Sequence, residues 1–123
     1  MIGFVTVGVV DLENSGMFYD SLFSIIRIER LWKNDRAIMY GDNKDHGTFC
    51  LILPFDKQQP SPGNGNMVAI KAVSIDQVKE LHKKSIELGA SNEGDPGKRD
   101  STFYGSYIRD LDGNKICFYC RLQ

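Results

Sequence analysis

Residues 103–120 read F-Y-G-S-Y-I-R-D-L-D-G-N-K-I-C-F-Y-C: two runs of strand-forming residues on either side of Asp112-Gly113-Asn114. Glycine and asparagine tolerate the positive φ that a tight hairpin turn demands, so this stretch predicts two antiparallel strands, 103–109 and 115–121. Working back from the hairpin, 67–73 (M-V-A-I-K-A-V) is a third strand that runs straight into a helix over 74–88. The pattern recurs at the start of the chain. There 4–10 (F-V-T-V-G-V-V) is a strand followed by a helix over 11–23, at a constant offset of 63 that pairs Phe18 with Leu81 and Phe23 with Ile86. Asp11 and Ser74 are suitable N-caps, Glu13 and Asp76 suit the first turns, and Gly89 suits the end of the second helix.

Three strands are expected after each helix: 28–33, 37–40 and 48–53 in the first half, and a weak 91–93, then 103–109 and 115–121, in the second. Residues 94–101, with Asp95-Pro96-Gly97, read as a polar loop, and 54–66, rich in proline and glycine, as a linker. The chain is therefore expected to be α+β, with two β-α-β-β-β modules (1–53 and 67–123) in one domain, forming a curved mixed sheet with the helices on its outer face.

The 123 residues carry 15 basic and 16 acidic side chains, a balance that does not point to a nucleic-acid partner. No apolar run approaches the roughly 20 residues of a membrane span. The opening M-I-G-F-V-T-V lacks the basic start of a secretory signal. Cys50, Cys117 and Cys120 are odd in number and lack metal-knuckle spacing, so they read as free thiols of a reducing, cytoplasmic compartment.

The hairpin D-L-D-G-N-K-I-C, the opening strand with its D-L-E-N-S helix start, and Phe18-Tyr19 together resemble the glyoxalase / bleomycin-resistance / extradiol-dioxygenase (vicinal-oxygen-chelate) superfamily over essentially the whole chain. Its usual closing motif is D-P-D-G-N-x-I-E, in which the glutamate binds a metal; here that place is held by Cys117. The resemblance implies one metal ligand from each of the first, fourth, fifth and eighth strands. Matching Gly47 to Gly113 carries these positions onto Phe4, Leu51, Met67 and Cys117, none of them a His, Glu or Gln. No metal or other cofactor is therefore expected.

Strand alternation divides each strand into a helix-side face and a concave face. Val5, Val7, Val9, Val68, Ile70, Ala72, Ile116, Phe118 and Cys120 fall on the helix side. Phe4, Thr6, Leu51, Met67, Ala69, Lys71, Lys115, Cys117, Tyr119 and Arg121 are expected on the concave side, with Trp32 and Tyr40 in the pocket wall. Tyr107 shares the phase of Cys117, and Arg109, one pleat further, suits a bidentate clamp on a carboxylate. The competing reading leaves Arg109 solvated beside Asp110 or Asp112.

Cys117 lacks an adjacent histidine to activate it, so no catalytic residue is assigned and Cys117 is read as a small apolar filler. The resulting expectation is a metal-free protein, a homodimer by resemblance, that binds a small organic molecule in an apolar concave pocket. Its binding residues would be Phe4, Thr6, Leu51, Met67, Tyr107, Arg109, Cys117 and Tyr119. The alternative is a glyoxalase- or dioxygenase-type enzyme with an atypical metal site.

Overall fold

The computed structural model describes residues 1–44 and 46–123. The element order is β1 (Phe4–Gly8), α1 (Leu12–Ser24), β2 (Glu29–Lys33), β3 (Ala37–Gly41), β4 (Thr48–Ile52), β5 (Val68–Lys71), α2 (Ile75–Glu87), β6 (Ser91–Lys98), β7 (Phe103–Arg109) and β8 (Lys115–Arg121). The β-α-β-β-β module thus occurs twice, as the sequence predicts. The chain divides into two compact units, Met1–Pro62 and Gly63–Gln123. Each holds a four-stranded mixed sheet, ordered β1-β4-β3-β2 in the first and β5-β8-β7-β6 in the second. In both, the first and last strands pair in parallel and the remaining pairs are antiparallel.

Both helices start where their capping residues dictate. The Asp11 carboxylate accepts the Asn14 N–H at 3.0 Å, and the Ser74 hydroxyl accepts the Gln77 N–H at 3.1 Å. In the first unit α1 buries an aromatic cluster against the sheet: Tyr19, Phe23, Tyr40 and Phe49 have ring centroids 5.0–6.3 Å apart. A polar strut closes the same layer. Arg30 forks onto the Asp20 carboxylate at 2.8 and 2.9 Å, and the buried Tyr40 hydroxyl reaches Asp20 at 2.8 Å. Gly16 makes room for it, because a Cβ there would stand 2.6 Å from an Arg30 Nη atom. In the second unit, Val78 and Leu81 of α2 pack with Ile108, Ile116 and Phe118 into a fully buried core.

β6 departs from expectation. The strand extends to Lys98, through the Asp95-Pro96-Gly97 segment expected to be loop, with register shifts between Asn92 and Gly94 and between Gly94 and Gly97. Bulges let a proline, which has no N–H to donate, sit within a strand.

The helix C-termini differ in one informative way. After α2, Gly89 takes φ +108° and the Ala90 N–H returns to the Ser85 carbonyl; after α1, Arg27 takes φ +59° and the Ile28 N–H returns to the Phe23 carbonyl. A side chain with positive φ costs roughly 1–2 kcal/mol, which glycine avoids. Gly89→Ala is therefore expected to destabilise the protein by about 1 kcal/mol and Arg27→Gly to stabilise it by a smaller amount. Urea melts of the two variants read both signs, and a neutral result at Gly89 would contradict the strained cap.

Candidate functional site

The parallel pairs decide which side chains face the helix and which face away. In the first unit Thr6 lies beside Cys50 and Val7 beside Leu51. Val7 and Leu51 are buried on the helix side with Phe49, whose ring meets Tyr19 and Phe23. Leu51 is thus corrected: it belongs to the helix-side core, and Cys50 holds the position that sequence matching gave to Leu51. Tyr40 is likewise moved from the pocket wall to the core beneath α1. The face turned away from α1 carries Phe4, Thr6, Met39, Cys50 and Ile52; Phe4 and Thr6 are exposed and Cys50 is buried.

In the second unit the expected phase holds. Ala69 lies beside Cys117, and Cys117 in turn lies across from Tyr107; Tyr119 sits between Lys71 and Gly105. Met67, just before β5, and Ala69 are exposed, Tyr107 and Tyr119 are half-buried, and Cys117 is fully buried. Two cations converge on Tyr107: the Arg99 guanidinium at 5.2 Å and the Lys115 ammonium at 5.4 Å from its ring centroid. One pleat along, Phe103 and Tyr119 stack at 5.2 Å with planes 6° apart, and Arg121 stands 5.9 Å from each ring.

Arg109 is committed elsewhere. Its Nε donates to Glu93 at 2.5 Å and its Nη1 to the Gly113 carbonyl at 3.1 Å, so it ties β6 to the β7–β8 turn. The carboxylate next to it is Glu93 rather than the turn aspartates. Asp110 instead organises that turn: one of its carboxylate oxygens accepts the N–H groups of Asp112 and Asn114 at 2.9 Å.

Burial pushes the Cys117 thiol up to about 11, although Arg99 and Lys115 pull the other way, and burial also raises Cys50. Both sulfurs are therefore held as neutral thiols near pH 7.

No family model matches the chain, and no curated protein does. Solved structures do. A glyoxalase/bleomycin resistance protein from Albidiferax ferrireducens T118 is similar at 37% identity and a TM-score of 0.90, covering 99% of this chain and 99% of its own. This chain belongs to the glyoxalase/bleomycin resistance protein family. The fold is shared more widely: a glyoxalase/bleomycin resistance protein/dioxygenase family enzyme from Burkholderia phytofirmans PsJN has a TM-score of 0.80 at 13% identity, covering 98% of each chain. A lactoylglutathione lyase from Agrobacterium tumefaciens has a TM-score of 0.72 at 18% identity, covering 98% of this chain and 92% of its own.

Within this glyoxalase/bleomycin resistance protein, the residues at the positions implied for metal ligands do not suit a divalent ion. Phe4 has no donor atom and Met67 offers only a thioether, which leaves two cysteine sulfurs and no imidazole or carboxylate for an ion that takes several such donors. Among the described residues, no group of three His, Cys, Asp or Glu side chains is placed to hold a metal. Lys115 and Arg121 share the face of Cys117 and Tyr119, as alternation predicts. Sequence reasoning missed Cys50, Arg99 and Phe103 as neighbours of the sites it named. Arg99 could not have been found, because it follows a strand that reads as loop.

The neutral Cys117 thiol makes a kinetic prediction. With Cys50 and Cys120 replaced by alanine, iodoacetamide should alkylate the native protein at pH 8 on the order of 100-fold more slowly than the urea-unfolded chain. The native rate should climb as pH rises toward about 11. A native rate equal to the unfolded one would mean an open or activated thiol.

Proposed function

We propose that this protein is a metal-independent member of its family that binds a small organic molecule on the face of the second sheet turned away from α2. The observation that carries this reading is the chemistry at the four implied ligand positions, Phe4, Cys50, Met67 and Cys117, where two side chains are apolar or thioether and two are buried thiols. Such positions supply contact area rather than Lewis acidity. On the second sheet Cys117 is the buried base of the surface, and Tyr107 and Tyr119 rise from it as half-exposed rings. Aromatic rings present large contact area at small entropic cost, and the Tyr107 hydroxyl adds a polar handle that fixes orientation. Arg109, occupied by Glu93 and the Gly113 carbonyl, serves this surface as a brace rather than as a clamp.

Elemental analysis of tag-free protein, with thermal melts in added Zn, Ni, Mn and Fe(II), tests the reading. Sub-stoichiometric metal and unchanged melting are expected. A native-state ligand at about 100 times its Kd adds roughly 2.7 kcal/mol, worth roughly 8 °C or more in a domain of this size. A stoichiometric metal with a shift of that order would replace this reading with a metal-dependent lyase or oxygenase.

A further inference from the structure

The face of the second sheet turned away from α2 is built flat by glycine. A Cβ on Gly94 would stand 2.9 Å from the Tyr107 ring and 3.3 Å from an Arg99 nitrogen; one on Gly97 would stand 2.8 Å from Arg99, and one on Gly105 2.7 Å from the Phe103 ring. Three positions that lack side chains thus let two rings and one guanidinium lie down against the backbone. Glycine weakens a strand, so three of them beneath one surface mark a place where close approach outweighs strand stability.

That flat surface is also charged. Lys71, Arg99, Lys115 and Arg121 border it; Arg99 donates to the Asp95 carbonyl at 2.6 Å and Lys115 and Arg121 feel the Glu93 and Asp100 carboxylates, but among the described residues none of the four is in a salt bridge. Among the described residues, the ion pair found in this unit joins Arg109 to Glu93. Four cations thus border one face of a chain whose formal charge is −1. Arg99 and Lys115 are held over the Tyr107 ring, and Arg121 over Phe103 and Tyr119. Rings that hold cations in place reduce the entropy those side chains would lose on meeting an anion.

We infer that the molecule bound here is a planar aromatic acid, with its carboxylate between Arg99 and Lys115 beside the Tyr107 hydroxyl and its ring laid along the Phe103–Tyr119 stack. The inference rests on the reading of this face as the binding surface and adds the ligand's class. A neutral aromatic compound would give Lys115 and the remaining Arg99 donors no anion to meet, and an aliphatic acid would leave the flat rings uncovered.

Naphthoate, its neutral isostere naphthalenemethanol and the aliphatic acid octanoate are the probes, titrated by calorimetry against the full chain. Naphthoate is expected to bind about tenfold or more tightly than either of the others, since naphthalenemethanol lacks the charge-assisted contact and octanoate lacks the ring that stacks. Arg99→Gln and Lys115→Gln should each weaken naphthoate by about tenfold, while Lys79→Gln on the exposed side of α2 should not. Thermal melts establish that each variant is folded. Equal affinity for naphthoate and naphthalenemethanol, both lost in Tyr107→Ala, would overturn the acid assignment while leaving the binding surface in place. No binding of any probe, with stoichiometric metal found in the protein, would overturn the surface as well.

Discussion

Everything placed on these sheets depends on the parallel pairing of the first and last strand in each unit, β1 with β4 and β5 with β8. A parallel pair requires a long crossover, and here the helix and the two intervening strands supply it. Once the pair is in register, every side chain on the remaining strands is assigned to one face, because alternation permits no other arrangement. Thr6 beside Cys50, and Ala69 beside Cys117, are the pairs from which the rest follows. A slip of one residue would exchange Cys50 for Leu51 and move a fully buried leucine out of the core beneath α1, at a cost of several kcal/mol in lost burial and cavity formation.

That register gives the two units equivalent frameworks and different surfaces. In both, a buried cysteine stands on the last strand at a position that the family resemblance gives to a metal ligand. Around Cys50 the neighbours are Thr6 and Met39; around Cys117 they are Ala69 and Tyr107, with Arg99 and Lys115 poised over the tyrosine ring. Burial raises the pKa of both thiols, and at Cys117 it outweighs the opposing pull of Arg99 and Lys115. In the function proposed above, binding falls to the groups that rise from the floor of the sheet. These are rings fixed by glycine contacts and cations fixed by rings.

Much of the architecture was legible in the sequence because local chemistry and global fold agree. Asp11 and Ser74 announce the helices, the constant offset of 63 exposes the repeat, and Asp112-Gly113-Asn114 sets the final hairpin and with it the phase of Tyr107 and Cys117. The β4 register was not legible. Phe49, Cys50, Leu51 and Ile52 are all apolar, so alternation gives no sign of which two face the helix. The loop before β4 and the turn before β8 differ by one residue, so aligning Gly47 with Gly113 shifts the strand by that residue. β6 was obscured for the opposite reason. Gly94, Pro96 and Gly97 carry the composition of a loop, yet the strand tolerates them at its bulges, and Gly94 leaves room for the Tyr107 ring. Composition reports what a backbone prefers, and here tertiary contact decides instead.

The most direct measurement is the set of cross-strand nuclear Overhauser contacts in isotope-labelled protein. Contacts from the Thr6 methyl to the Cys50 β-protons, from Val7 to the Leu51 methyls, and from the Ala69 methyl to the Cys117 β-protons are the expected result. Contacts from Thr6 to Leu51, with Cys50 turned toward the rings of Tyr19 and Phe23, would contradict the register and every face assignment that depends on it.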